Sequence, residues 1–442
     1  MNLNIQTLRE NYINGKSSIR DIISQIQTKI ESTKDYNIWI YTLNKDELEP
    51  YIKNLEEKNP KDFPLYGIPF AIKDNIDLEN IVTTAGCPQY AYTPKESAYV
   101  VKKLIEAGAI PIGKTNLDQF ATGLVGTRSP YGECKNSIDS EYISGGSSSG
   151  SAVSVALEQV SFSLGTDTAG SGRVPAAFNN LIGLKATKGI LSTSGVVPAC
   201  RSLDCVTIFA KELDSVEAVF KIANSYDETD IYSRVYNTTK KESKEHFTFA
   251  IPKKSQLKFF EDDEAQKLFE QAVQKFESIG GKVVEIDYEP FNQSANLLYS
   301  GPWVTERYIA IKDVITSNPE IINETVRTII SSGENKNAIN YFESEYILKT
   351  NRKIMDRLFK EFDFILTPTT GTIYKISEVN ANPITLNTNL GYYTNFMNLL
   401  DLSAIALPAG FRQNALPFGV TIVADAFDEK ILFDYSKKYL KA

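Results

Sequence analysis

Hydrophobic residues recur at helical spacing near the start of the chain. Between residues 17 and 33 one stripe of isoleucines is formed by Ile19, Ile22, Ile23, Ile26 and Ile30. This spacing is typical of an amphipathic helix, and Ser18 and Asp21 match a capping box at its start. A second helical pattern spans about 45–58. Residues 1–60 are therefore predicted to form an N-terminal helical arm that packs on the core.

Between residues 66 and 206, short apolar runs alternate with helical stretches. This alternation predicts an α/β fold in which a mixed, twisted β-sheet is covered by helices on both faces. Further strands are predicted near 247–251, 282–286, 364–369 and 417–423, and further helices near 263–279 and 430–438. A long helical region from 295 to 362 predicts a helical lobe within one domain of residues 1–442.

Composition and charge narrow the class of protein. With 442 residues the chain exceeds the usual size of a single core, although one large α/β layer remains possible. A net charge of −8 without a basic tract argues against nucleic-acid binding. Neither a secretory signal nor an apolar run of about 18 residues is present, so a cytoplasmic protein without a membrane partner is expected. Four scattered cysteines and one histidine favour neither a disulfide framework nor a metal site.

A glycine- and serine-rich stretch at 145–175 carries the candidate chemistry. Two turns of small residues flank a short apolar unit, and they present Ser147 and Ser171. The one histidine, His246, lies in a charged segment, so a serine nucleophile here is expected to use another base. Lys73 ends an apolar, strand-like run, where desolvation lowers the pKa of a lysine toward neutrality. A lysine-based serine hydrolase is the resulting hypothesis.

Together these motifs resemble the amidase signature family, most strongly over residues 60–210. The resemblance implies that Lys73 is the base, that Ser147 relays protons from within a cis peptide, and that Ser171 is the nucleophile. The spacing of 24 residues between the two serines fits the family pattern. The oxyanion hole implied by the resemblance consists of the backbone N–H groups of Thr168, Ala169, Gly170 and Ser171. Neither a metal nor an organic cofactor is expected, and the lobe at 295–362 is expected to lie over the active site.

Other stretches resemble the members of this family that hydrolyse allophanate, a urea unit that bears a carboxylate. They are residues 122–132, 169–180, 195–205 and 298–308. The substrate-binding residues implied by this resemblance are Tyr299, Arg307, Gly123 and Leu124. The planar guanidinium of Arg307 suits a carboxylate, and a separation of eight residues would place it on one helix face with Tyr299. Arg128, Arg173 and Arg201 are the alternative partners of the carboxylate. For Arg173 and Arg201 a structural role, bonding nearby carboxylates such as Asp204, is the other interpretation.

This resemblance implies an amide hydrolase that converts allophanate to N-carboxycarbamate and ammonia in urea breakdown. Functional coupling to a urea carboxylase and a homodimer are expected. Because the chain ends soon after the last predicted amidase helix, the product is expected to break down spontaneously or elsewhere. Three alternatives stay open: a general small-amide amidase, a non-catalytic amide-binding protein, and a glutamine-hydrolysing amidotransferase subunit.

Overall fold

Eleven β-strands form one mixed sheet in the computed structural model, which describes residues 2–237 and 241–442. The strands are β1 Trp39–Thr42, β2 Pro69–Lys73, β3 Ile110–Thr115, β4 Phe162–Asp167, β5 Ile182–Lys185, β6 Cys205–Ala210, β7 Phe247–Pro252, β8 Gly281–Ile286, β9 Phe364–Pro368, β10 Ser403–Phe411 and β11 Pro417–Ala424. Their order across the sheet is β1-β3-β2-β4-β6-β5-β10-β11-β9-β7-β8. The strands β3, β2 and β4 are parallel neighbours, as are β9, β7 and β8, and the remaining pairs are antiparallel.

Helices cover both faces of this sheet. They are α1 Ile5–Ile13, α2 Ile19–Ser32, α3 Lys45–Glu56, α4 Tyr99–Glu106, α5 Ser149–Ala156, α6 Arg173–Phe178, α7 Leu213–Ala223, α8 Asp263–Ser278, α9 Glu289–Asn296, α10 Val304–Ala310, α11 Lys312–Ser317, α12 Glu324–Ser331, α13 Ala338–Leu358, α14 Ile376–Ala381, α15 Thr385–Leu390 and α16 Glu429–Lys441. Adjacent α5 and α6 pack on one face, and α7, α16 and α8 form a layer on the other. All residues of β2, β4 and β11 are buried, as expected for strands covered on both sides. The predicted fold class is confirmed.

The N-terminal segment contains a strand as well as helices. As predicted, α2 begins after Ser18, whose side chain accepts a hydrogen bond from the N–H of Asp21. The strand β1 lies between α2 and α3 and pairs antiparallel with β3 at the edge of the sheet. This segment therefore contributes one edge strand to the sheet, whereas the sequence predicted a helical arm. A four-residue run gives little local signal for a strand whose partner lies about 70 residues away.

The predicted helical lobe at 295–362 consists of separate helices, α10 to α13, rather than one long helix. Hydrogen bonds join it to the segment after β3: Gln119 Nε2 donates to Ile321 O at 3.2 Å, and Gln119 Oε1 accepts from the N–H of Asn323 at 2.7 Å. These contacts fix the lobe on the side of the sheet where β2 and β4 end. No helix among the described residues is long and apolar enough to cross a membrane.

Candidate active site

Lys73 is the last residue of β2, and its amine lies between two hydroxyl groups. Lys73 Nζ lies 2.7 Å from Ser147 Oγ and 2.7 Å from Thr166 Oγ1. The lysine and Ser147 are both fully buried. Because β2 and β4 are parallel neighbours, the end of β2 meets Thr166, the penultimate residue of β4. The structure thus brings the predicted base and the predicted relay into direct contact.

Burial lowers the pKa of the Lys73 amine to about 7, although the nearby carboxylates of Asp118, Asp204 and Asp167 favour its charged form. Desolvation is the dominant cause because removing an ammonium ion from water costs more free energy than these neighbours return. An amine with a pKa near 7 is half deprotonated at neutral pH. Lys73 can therefore accept a proton under conditions in which an exposed lysine cannot.

Asp118 holds the backbone around Ser147. The Gly146–Ser147 peptide is cis, and the carbonyl of Ser147 accepts a hydrogen bond from the N–H of Asp118 at 3.1 Å. The carboxylate of Asp118 accepts in turn from the N–H groups of Gly126 and Arg128, each at 3.0 Å. A Cβ at Gly146 would lie 2.1 Å from Asp118 Oδ2, so glycine is required there by close approach.

The candidate nucleophile Ser171 lies in the loop between β4 and α6. Its Oγ donates to the carbonyl oxygen of Gly123 at 3.5 Å, and its own carbonyl accepts from the N–H of Ser148 at 3.3 Å. In the described part of the chain, Ser171 Oγ and Ser147 Oγ do not form a hydrogen bond with each other. The two serines nevertheless lie on adjoining loops, through the bond between Ser148 and Ser171.

A buried ion pair shapes this loop. Asp167, the last residue of β4, contacts Arg173 with 2.8 Å between Oδ2 and Nε, and both side chains are fully buried. Burial acts to raise the pKa of the Asp167 carboxyl, but the contact with Arg173, the charge of Lys185 and the N–H of Gly170 together lower this pKa below its ordinary value. Arg173 also donates to Thr394 O, at 3.2 Å. Arg173 is thus structural, and its partner is Asp167.

The N–H groups of the loop divide into two sets. Gly170 donates to Asp167 Oδ1 at 2.7 Å, so its N–H already has an acceptor, and its place in the oxyanion hole stays a prediction. The backbone N–H groups of Thr168, Ala169 and Ser171 donate to no protein acceptor within residues 2–237 and 241–442. They stay the predicted oxyanion donors.

Tyr299 and Arg307 lie together, but for a different reason from the one predicted. Tyr299 follows α9, whereas Arg307 belongs to α10, so the two residues do not share a helix. Arg307 Nη2 lies 3.4 Å from the Tyr299 hydroxyl, and the guanidinium is 5.3 Å from the centre of the Tyr299 ring. Arg307 Nη1 donates to Thr122 Oγ1 at 3.0 Å. The guanidinium is buried, and its Nε has no hydrogen-bond partner among the described residues.

The segment that follows Thr122 supplies the other predicted substrate-binding residues. The carbonyl of Gly123 accepts a hydrogen bond from Ser171 Oγ, and the hydroxyl of its neighbour Thr122 accepts one from Arg307. Thr122 and Gly123 therefore connect Arg307 to the candidate nucleophile. Leu124 donates its N–H to Asn387 Oδ1 at 2.8 Å and is buried, so its backbone donor is already used. Arg128 Nη1 donates to the Thr122 carbonyl at 3.1 Å. Arg307, Gly123 and Ser171 thus line one continuous stretch of the site.

Sequence reasoning missed Thr166, Asp118 and Asp167. Thr166 contacts a lysine 93 residues away, and no local pattern indicates such a contact. A signal was available for Asp167, because an aspartate at the start of a glycine turn commonly accepts backbone N–H groups. His246 is exposed immediately before β7, whereas Lys73, Ser147 and Ser171 are buried. Within the described residues, no cluster of three or more His, Cys, Asp or Glu side chains is placed to hold a metal ion.

Comparison with known proteins finds relatives and solved structures that match nearly the whole chain. Urea amidolyase of Saccharomyces cerevisiae is 44% identical over 97% of this chain, which covers 23% of that protein. The solved structure of Kluyveromyces lactis allophanate hydrolase superposes with a TM-score of 0.94 at 42% identity, over 99% of this chain and 72% of that one. A glutamyl-tRNA(Gln) amidotransferase subunit from Natranaerobius thermophilus is 30% identical over 97% of this chain and 93% of its own length.

The chain spans about a quarter of the length of the curated urea amidolyases that it matches, 23% and 24% of two of them. The family model that matches is described as Amidase and covers residues 21–433. This match extends from α2 to α16 and includes the whole site described above. The chain belongs to the amidase family.

Proposed function

We propose that this chain hydrolyses allophanate, releasing ammonia and N-carboxycarbamate. The observation that carries the proposal is the buried contact between Lys73 and Ser147 beside the Ser171 loop. It supplies a base and a hydroxyl relay without histidine. The 42% identity with an allophanate hydrolase over 99% of the chain supports the choice of substrate.

In the first half of the reaction, Ser171 Oγ attacks the terminal amide carbon of allophanate. Its proton passes to Ser147 Oγ as the proton of Ser147 passes to the neutral amine of Lys73. The negative charge that develops on the carbonyl oxygen is stabilised by the N–H groups of Thr168, Ala169 and Ser171, each donor contributing about 3–4 kcal/mol. The relay then returns a proton to the nitrogen, the C–N bond breaks, and ammonia leaves.

The second half of the reaction releases the remaining product. After the first half, Ser171 Oγ carries the acyl group as an ester, and the far end of this group is the substrate carboxylate. Water attacks the ester carbon and gives its proton to the same relay, and Ser171 Oγ departs with a proton. The product is N-carboxycarbamate, so that allophanate and water are converted into ammonia and a dicarboxylate.

Arg307 is the proposed partner of the substrate carboxylate. It is buried beside Tyr299, and Thr122 and Gly123 connect it to the nucleophile. Its unpartnered Nε leaves donor capacity for an anion. A carboxylate bound by arginine through charge-assisted hydrogen bonds would place the opposite end of allophanate at Ser171.

Allophanate is urea with a carboxyl group on one nitrogen, so a urea-carboxylating enzyme is the proposed supplier of the substrate. The similarity to urea amidolyases is consistent with this order of reactions. A homodimer stays a prediction.

The test is ammonia release from allophanate, glutamine and acetamide by the purified chain, with Ser171→Ala as the blank. We expect kcat/KM to be highest for allophanate. A higher value for glutamine would favour the amidotransferase alternative, and similar values for all three would favour a general amidase. Binding of allophanate without ammonia release would favour the non-catalytic alternative.

A further inference from the structure

Glu306 directly precedes Arg307 in α10, and one of its carboxylate oxygens accepts three hydrogen bonds from the 199–204 loop. Glu306 Oε2 lies 2.8 Å from Cys200 Sγ, 3.1 Å from Ser202 N and 2.8 Å from Ser202 Oγ. Burial, together with the Glu306 charge, raises the pKa of the Cys200 thiol well above its ordinary value, so the thiol keeps its proton and donates. Glu306 is therefore a strong attachment between α10 and this loop.

The same loop is attached at its other end to the predicted oxyanion donors. Asp204 Oδ2 accepts from the N–H of Ala199 at 2.8 Å and from that of Cys200 at 3.1 Å, which closes the loop into a tight turn. Asp204 Oδ1 accepts from the hydroxyl of Thr168 at 2.5 Å. Thr168 also carries one of the three N–H groups left for an oxyanion. The 199–204 loop thus contacts α10 at one end and the nucleophile loop at the other.

We infer that Glu306 is a positioning residue that fixes the separation between Arg307 and the oxyanion donors. The connection runs from Arg307 through Glu306 to Ser202 and Cys200, and from there through Asp204 to Thr168. Its two ends are where the two ends of allophanate would bind. Glu306 thereby selects amides that carry a carboxylate at the distance found in allophanate. This inference rests on the proposed function, because it takes Arg307 as the carboxylate partner.

Two further side chains of α10, besides Glu306 and Arg307, form polar contacts that stay within the helical lobe. Tyr308 donates from its hydroxyl to Glu334 Oε1 at 3.2 Å, and Thr305 Oγ1 donates to Gly333 O at 2.9 Å. Neither contact leads to the nucleophile loop. Tyr308→Phe is therefore a matched control, because it removes a polar contact of the same helix without affecting the connection through Glu306.

The experiment compares allophanate with biuret, in which a neutral amide replaces the carboxylate. Steady-state constants are measured for the wild type, Glu306→Ala, Glu306→Gln and Tyr308→Phe. Where biuret turnover is too slow, its inhibition constant is used. We expect Glu306→Ala to lower kcat/KM for allophanate by about ten- to a hundredfold, mostly through KM, with a much smaller change for biuret. Glu306→Gln should recover part of the loss, since its amide oxygen still accepts hydrogen bonds. Tyr308→Phe should leave the ratio of kcat/KM for allophanate to kcat/KM for biuret unchanged.

An equal loss for both compounds, or no loss for allophanate, would overturn the inference and leave the proposed function in place. Absence of ammonia release from allophanate by the wild type would instead overturn the proposed function, and this inference with it. Thermal melting establishes that each variant is folded. If Glu306→Ala does not fold, Ser202→Ala removes one donor to the same oxygen and should give a smaller loss that is again selective for allophanate.

Discussion

At the scale of single residues, the protonation of Lys73 is expected to set the pH dependence of catalysis. The amine acts as a base only when neutral, and burial lowers its pKa to about 7. We therefore predict that kcat/KM for allophanate rises with pH through an acid limb near 7 and levels off above it. The measurement is a pH–rate profile, with His246→Ala as a control that should follow the wild-type profile. A profile that is flat between about pH 5 and 9 would contradict the role of Lys73.

Substitution of the lysine tests the same role without changing the pH. We predict that Lys73→Ala and Lys73→Arg are both nearly inactive in the ammonia assay, because a guanidinium keeps the charge but cannot accept a proton near neutral pH. Recovery of activity in the arginine variant would mean that position 73 needs only a positive charge.

The two serines are expected to act as one unit. We predict that Ser171→Ala and Ser147→Ala each lower kcat by a factor of about a thousand or more, because either change breaks the same proton path. Ammonia release measures the loss, and circular dichroism checks that the fold is retained. Residual turnover of more than a few percent in Ser171→Ala would remove this residue from the role of nucleophile.

Arg307 is expected to affect the choice of substrate more than the chemistry. We predict that Arg307→Ala lowers kcat/KM for allophanate by about ten- to a hundredfold and largely spares small uncharged amides. Arg307→Lys should recover part of the activity, and Tyr299→Phe should give a smaller loss in the same direction. Kinetics with a charged and an uncharged amide provide the measurement. Equal losses would mean that Arg307 is structural, and Arg128 would become the candidate.

At the scale of elements, the junction of β4 and α6 depends on the buried pair of Asp167 and Arg173. We predict that Arg173→Met lowers the free energy of unfolding by about 3–5 kcal/mol, because it leaves a buried carboxylate without its partner. Urea titration measures this change. Arg20→Met is the matched control: Arg20 also contacts two carboxylates, but on the surface, and its loss should leave the free energy of unfolding nearly unchanged. Similar losses in both variants would contradict the importance of burial.

The elements also indicate how far the sequence could predict the structure. Strands such as β2, β7 and β11 were predicted because each is a continuous apolar run. β5 was missed because it has only four residues and pairs with β10 across more than 200 residues. β10 was missed although it pairs with β11, the next strand of the chain. In the site, Lys73 and the two serines could be assigned from motifs. The contact of Lys73 with Thr166, and the use of the Gly170 N–H by Asp167, arise only from folding.

At the scale of the whole molecule, one sheet joins the N-terminal segment to the rest of the chain. The two tryptophans report on distant parts: Trp39 begins β1, at one edge of the sheet, and Trp303 directly precedes α10 in the lobe. Trp39→Phe and Trp303→Phe each retain one tryptophan. We predict that, in each variant, the urea midpoint measured by tryptophan fluorescence coincides with the midpoint measured by circular dichroism. Different midpoints would mean that the edge of the sheet or the lobe unfolds separately.

The segment that precedes β10 has a consequence for synthesis on the ribosome. The loop that carries Ser171 is held by Asn398, which donates to Asp167 O across 231 residues, and by Thr394, whose carbonyl accepts from Arg173 across 221 residues. These partners leave the exit tunnel long after the nucleophile does. Because non-local contacts of this kind form only once both segments are available, a nascent chain that stops before Thr394 carries all three candidate catalytic residues without the contacts that hold the Ser171 loop. Enzymatic activity would then begin only in the last stage of translation.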